Sequence, residues 1–231
     1  MVVDDLGLRI VCGDLRPGTA LPTESDLAVE LAVSRTVVRE ATKVLAAKGL
    51  VESRPKTGTR VLPRASWNLI DPDVLAWQFA VGVEPGFFRD LNEVRDLIEP
   101  RAAELAAERA TAAERQQLGR LLAAMEASTD DPRTYVEWDL RFHEAVLRAT
   151  HNELLARMAD ALLYALRAGR QVTARTPGGP ATANRAHRDV VEAIDRGDAA
   201  AARGAMETVV RAASTDGERV LAAGSFPVQG A

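Results

Sequence analysis

The 231-residue sequence has a single cysteine, Cys12. One thiol excludes an intramolecular disulfide and suits a reducing cytoplasm. Cys12 falls in the first helical pattern, where it is expected to pack as a small apolar residue rather than react. Aromatic residues make up only 4% of the chain, so its cores must be built from alanine and leucine. No apolar run reaches the roughly 18 residues a membrane-spanning helix needs. Asp4 and Asp5 stand where a signal peptide would carry bases, so none is expected. There is no GxSxG elbow, no phosphate-binding P-loop and no Rossmann glycine cluster, which removes the common hydrolase and nucleotide-binding chemistries. No repeat of 20–50 residues is present, and strand-like alternation is confined to one short stretch.

That stretch, Leu21 to Val61, carries most of the information. Thr23 can cap a helix over Glu24 to Leu31, with Leu27, Ala28 and Leu31 on one face. Ala32 and Val33 make a turn, and Ser34 is a good cap for a second helix, Arg35 to Lys48, whose apolar face is Val37, Val38, Ala41, Val44 and Leu45. Gly49 ends it. Leu50 to Arg54 and Thr59 to Leu62 read as two strands around a tip of Lys56, Thr57 and Gly58. The order is that of a winged helix-turn-helix. The N-terminal residues of its second helix enter the major groove, where an arginine fork suits guanine O6 and N7. Arg35 and Arg39, four apart, project from one side with Thr36 beside them.

Charge agrees. Residues 31 to 64 hold eight basic and two acidic side chains, a local charge of +6, in a chain whose net charge is −4. A basic patch in an acidic protein is the footprint of phosphate contact at one site.

Ile10, Gly13-Asp14-Leu15-Arg16-Pro17-Gly18 and Leu21-Pro22-Thr23-Glu24, followed by Val33-Ser34-Arg35-Thr36-Val37-Val38-Arg39-Glu40-Ala41, resemble the GntR-type bacterial regulators. The resemblance implies a dimer on double-stranded operator DNA. It also implies that Arg35 and Arg39 read bases, that Ser34 and Thr36 touch phosphate or bases, and that Ser25 positions the backbone. Family wing tips carry a glycine where this chain has Lys56, which adds a phosphate contact beside Thr57 and Gly58.

The rest of the chain reads as mostly helical. Residues 1–63 form the DNA-binding domain and 64–85 a connector, in which Asp71 caps a helix opened by Pro72 and Trp67, Leu69, Leu75 and Trp77 pin the segment between domains. Residues 86–222 form an antiparallel helical bundle and 223–231 a flexible tail. Six helices are expected, about 86–109, 112–128, 132–149, 153–174, 182–196 and 198–213. Pro100 suggests a kink, Thr111 with Glu114 has capping-box spacing, and Gly178-Gly179-Pro180 reads as a loop.

Within the bundle, Asp139 and His143 lie four apart on one helix and His187 on another. A carboxylate and two imidazoles pointing inward are a divalent-metal set for zinc, nickel or manganese. Arg95 is either the partner of Glu99 at i+4 or a bidentate partner for a carboxylate ligand.

Asp139-Leu140-Arg141-Phe142-His143 and the run from His187 to Gly197-Asp198 are similar to the FCD effector-binding domain of the FadR-type subgroup, and the connector resembles its sugar-acid branch. The resemblance implies a metal held by an aspartate and three histidines. Three of those positions are Asp139, His143 and His187; the fourth, 22 residues beyond His187, is Val209, which cannot ligate. Arg95 and Asn152 match positions that contact the effector, Asn152 also being a possible helix cap. The expected function is therefore a cytoplasmic homodimeric repressor released by a small carboxylate or sugar acid, without enzymatic activity. Two other readings are open: a constitutive DNA-binding dimer with a decayed pocket, and a metalloenzyme of the two-histidine, one-carboxylate type.

Overall fold

The computed structural model describes residues 1–54, 58–82, 85–159, 167 and 179–222. The chain divides into two compact units after Gly82. Among the described residues no helix is long and apolar enough to cross a membrane.

The first unit opens with α1 (Val2–Val11), followed by α2 (Glu24–Glu30) and α3 (Arg35–Ala47). Local chemistry sets their boundaries. At the start of α2, the Thr23 hydroxyl accepts from the Asp26 amide at 3.3 Å and the Asp26 carboxylate accepts from the Thr23 amide, so two backbone donors are satisfied reciprocally. The chain then turns through Ala32, at φ 52°. Ser34 caps α3 by accepting from the Val37 amide at 3.3 Å. Val38, Ala41 and Leu45 bury one stripe of α3. Val37 and Val44, expected on that face, are 45% and 40% exposed. Each precedes a buried residue by one position, about 100° around the helix, which puts it on the flank.

Beyond Gly49, β1 (Val51–Arg54) pairs antiparallel with β2 (Gly58–Val61), with Val51 opposite Val61 and Arg54 opposite Gly58. The Gly18–Leu21 segment runs along the other edge of β2: Gly18 donates to Val61, Val61 to Thr19 and Leu21 to Thr59. The wing is thus backed by a third, sequence-distant segment. Lys56 and Thr57 at its tip lie outside the described residues. Cys12, expected to pack, is exposed at the C-cap of α1: its helical dihedrals continue the turn past Ile10 to the solvent side.

The segment expected to be a connector over 64–85 has a different place. After a 3-10 turn (Arg64–Ser66) it forms α4 (Pro72–Val81), capped by Asp71. This helix packs on α1 within the first unit. Val74 and Trp77 join a core that includes Leu6, Ile10, Leu27, Val38, Leu45 and Leu50. The Trp77 ring lies on Gly7, where an added Cβ would fall 2.6 Å from it. Lys48, only 12% exposed, reaches from the end of α3 to Asp71 at 2.8 Å and Asp73 at 2.7 Å.

The second unit contains α5 (Pro85–Arg109), α6 (Ala112–Glu126), α7 (Pro132–Arg148), a helical stretch at 153–159, α8 (Gly179–Arg196) and α9 (Ala199–Ala222). Most of the helix expected over 153–174, and the tail from 223, lie outside the described residues. Helix α5 continues through Pro100. Helix α8 takes in Gly179 and Pro180, expected as loop, since the first turn of a helix tolerates a residue without an amide hydrogen. Helix α9 extends nine residues beyond the expected 213.

Helix α9 packs along α5 and α8, and α6 packs against α7 and α8. Ala102, Ala103, Ala106 and Ala107 of α5 are all buried, so small side chains let the backbones approach, as the shortage of aromatics requires. Thr111 and Glu114 form the capping box at α6. Arg115 donates to the carbonyls of Ala107, Ala110, Ile194 and Asp195, closing the ends of α5 and α8 together.

Candidate nucleic-acid face and candidate metal centre

The first turn of α3 presents Ser34, Arg35, Thr36 and Val37 to solvent, with Arg39 one turn on. Arg35 has neither a hydrogen bond nor an ion pair among the described residues. Arg39 is held differently. Its Nε donates to Glu24 Oε1 at 3.2 Å and its Nη2 to Glu24 Oε2 at 2.9 Å. The hydrogen bonds from Arg39, outweighing a small effect of burial, hold the Glu24 carboxyl below its ordinary range. This side-on fork occupies the Nε edge of the guanidinium and leaves Nη1 and the outer edge for another partner. Ser25 is half-buried in the first turn of α2, and Gly58, at φ 78°, opens β2.

Much of the local +6 charge is internally engaged. Besides Arg39, Lys43 pairs with Glu40, Arg54 with Glu52 and Lys48 with Asp71 and Asp73, while Arg60 donates to the Gly18 carbonyl. The unengaged cation in the first turn of α3 is Arg35. Two functional positions have no signal in the sequence: Glu24 reaches Arg39 across the turn, and Val37, expected on the apolar face, is exposed.

In the second unit α7 carries Asp139 and His143, and α8 carries His187; each is 1% exposed. The three meet. His187 Nε2 lies 3.3 Å from His143 Nε2 and 3.3 Å from Asp139 Oδ1, and His143 Nε2 lies 3.8 Å from the same oxygen. Phe142 stands edge-on to both imidazoles.

The outer ring nitrogens fix the tautomers. His187 Nδ1 lies 2.7 Å from the Ala183 carbonyl, which can only accept, so the ring proton sits there. His143 Nδ1 lies 2.7 Å from Glu99 Oε2. Burial alone would raise the Glu99 carboxyl, but the Arg95 guanidinium beside it outweighs burial and holds the group well below the usual carboxylate range. A carboxylate oxygen at that distance favours the His143 proton on Nδ1, although the two atoms meet at ion-pair distance and not in hydrogen-bond geometry. Both Nε2 atoms converge with a carboxylate oxygen. Three donors about 2.05 Å from a tetrahedral metal stand about 3.3 Å apart, so the residues present fit a divalent ion.

Arg95 is 1% exposed and paired: Nε donates to Glu99 Oε1 at 2.8 Å, and Nη1 to Asn92 Oδ1 at 3.4 Å. The i+4 pairing with Glu99 is thus formed. Asn152 is exposed, and its side-chain oxygen accepts from the Leu154 and Leu155 amides, capping the helical stretch 153–159. His151 pairs with Glu114 at the surface. Val209 is buried on α9. The reach of Glu99 from α5 to α7 has no sequence signal, since only its spacing to Arg95 is local.

Residues 1–61 match the family described as bacterial regulatory proteins, gntR family, and residues 90–212 match the FCD domain. The galactonate operon transcriptional repressor of Escherichia coli K12 is 40% identical over 161 residues, 70% of each chain. The Exu regulon transcriptional regulator of the same organism is 38% identical over 157 residues, 68% of this chain and 58% of that one. A solved Streptococcus agalactiae GntR structure covers 93% of this chain and 97% of its own, with a TM-score of 0.53 at 25% identity. The Listeria monocytogenes protein Lar shares the fold, with a TM-score of 0.67 at 21% identity over 95% and 96% of the two chains. With a winged helix-turn-helix in one unit and a buried Asp-His-His cluster in a helical second unit, this chain belongs to the gntR family of bacterial transcriptional regulators, in the group that carries an FCD domain.

Proposed function

We propose that the protein is a cytoplasmic, homodimeric repressor of a sugar-acid operon, released from its operator by a small hydroxycarboxylate bound at a metal in the second unit. It performs no catalysis. The observation that supports the reading is the convergence of two imidazole Nε2 atoms and a carboxylate oxygen at buried positions, the donor set and spacing that suit a divalent ion.

Asp139, His143 and His187 would hold the metal, zinc, nickel or manganese, which supplies a Lewis-acidic anchor for an oxygen ligand. With valine at position 209, three protein donors leave coordination open to water or effector. The buried charges favour a singly charged effector. Arg95 and Glu99 cancel, and Asp139 leaves a divalent ion with a net single positive charge, so one monocarboxylate neutralises the site. The names of the galactonate and Exu relatives support a sugar acid as that anion.

On the DNA side, Arg35 and Arg39 read bases. Ser25, Ser34, Thr36, Lys56, Thr57 and Gly58 contact the backbone or groove, and exposed Val37 is placed to meet a thymine methyl. The test is fluorescence anisotropy on DNA upstream of the protein's own gene, at fixed salt, with zinc present and aldonates and hexuronates titrated in. Sequence-specific binding weakened by one monocarboxylate is the expected result. Specific binding unmoved by any acid would leave a constitutive DNA-binding dimer, the reading that Val209 favours.

A further inference from the structure

We propose that Glu99 is a positioning residue for the metal centre, acting through His143 and itself held by Arg95. This inference rests on the reading of Asp139, His143 and His187 as metal ligands.

The two histidines are supported in unequal ways. His187 satisfies its outer nitrogen on the Ala183 carbonyl, one turn back on its own helix. The corresponding carbonyl for His143 belongs to Asp139, yet its Nδ1 faces a carboxylate from another helix, 2.7 Å away. A carboxylate stabilises the Nδ1 proton more strongly than a carbonyl does, so it makes Nε2 the better electron donor and fixes the ring's rotation. Such a carboxylate cannot stay ionised at 1% exposure without a counter-charge. Arg95 supplies it from one turn earlier on α5, and Asn92 accepts the far side of the same guanidinium. Asn92, Arg95 and Glu99 thus form a line on one face of α5 that ends on a metal-ligating ring. A salt bridge serving only to hold the helix would gain nothing from this outlet.

Glu99→Gln keeps the volume and removes the charge. The glutamine amide can donate to Nδ1, which moves the His143 proton onto Nε2 and turns a lone pair into an N–H aimed at the metal. Because Arg95 is then left without its counter-charge, Arg95→Met with Glu99→Gln is the second variant, removing both charges together.

Zinc affinity is measured on the full chain by competition with a chromophoric chelator, and the visible absorption of the cobalt-loaded protein reports ligand geometry. The expected result is a loss of zinc affinity of about 10- to 100-fold in both variants, with altered cobalt bands, while the metal-free double variant melts as the wild type does. Zinc affinity within about threefold of wild type in both variants, with unchanged cobalt bands, would overturn the role of Glu99 while leaving the ligands standing. A wild-type chain that takes up none of zinc, nickel or manganese would overturn the metal reading itself, and the role of Glu99 with it.

Discussion

Replacing Trp77 by alanine is the sharpest test of how the DNA-binding unit is built. Trp77 is 3% exposed, and its ring fills the space over Gly7 that a single Cβ would already invade. Emptying such a site removes both the transfer energy and the contacts lining the cavity, a loss of about 3–5 kcal/mol for a buried tryptophan. For a small domain with a total stability of about 5–15 kcal/mol, that is a large share. At about 1.4 kcal/mol per tenfold change, opening of the unit becomes at least about a hundredfold more frequent. Hydrogen exchange read by mass spectrometry on the full chain resolves the two units. Protection should fall in α1 and α3 together with α4, and stay unchanged in α7. If α4 alone loosens while α1 and α3 keep their protection, α4 is an appendage and the cooperative unit ends near Val61. Reduced operator binding should accompany the loss, since the first turn of α3 is presented from that same core.

Three further perturbations have defined outcomes. Glu24→Gln removes the ionic hold on the Nε edge of Arg39; discrimination at one guanine should fall, while binding to random DNA is unchanged or tighter. A panel of single-base operator variants measures this, and unchanged discrimination would show that Arg39 is not held in its reading pose by Glu24. Gly49→Ala meets two obstacles, a left-handed φ of 76° and a Cβ 2.1 Å from the Ser66 carbonyl oxygen; the expected cost is at least about 2 kcal/mol, seen as a lower urea midpoint. The Glu114 carboxyl is held below its ordinary range, first by the Thr111 amide and, against a small effect of burial, by the Thr111 hydroxyl and His151. Its contribution is therefore present above the unfolded carboxyl value of about 4.3 and lost as pH falls through the lower folded value. The stability difference between wild type and Glu114→Gln should shrink across that acid window, and a difference that instead grows there would reverse the assignment.

What could be read from the sequence follows from how far each signal reaches. Thr23, Ser34 and Gly49 act within four residues of themselves, so the two helices, the turn and the start of the wing were legible. The Asp71 cap and Pro72 likewise announced a helix. What that helix packs on was not legible, because Gly7 lies seventy residues from Trp77 and a glycine carries no pattern. In the second unit, the spacing of Asp139 and His143 put them on one face of α7, while His187, grouped with them by residue type, drew its weight from family resemblance rather than spacing. The pairing of Arg95 with Glu99 was one of two open readings, and the contact from Glu99 to His143 depends on how α5 meets α7. Val37 misled for the opposite reason: a valine fits an apolar periodicity whether or not the helix buries that flank.

The placement of α4 changes where this protein can be cut and rejoined. A boundary drawn after the wing, near residue 63, would strip Leu6, Gly7 and Ile10 of the helix that covers them and leave Lys48 without Asp71 and Asp73. A chimera built on that boundary would carry a sticky, loosened reading head, and its failure could be mistaken for an incompatible sensor. A junction after Gly82 keeps α4 on α1 and Lys48 with Asp71 and Asp73, so it is the one to use when a different sensing domain is to be attached.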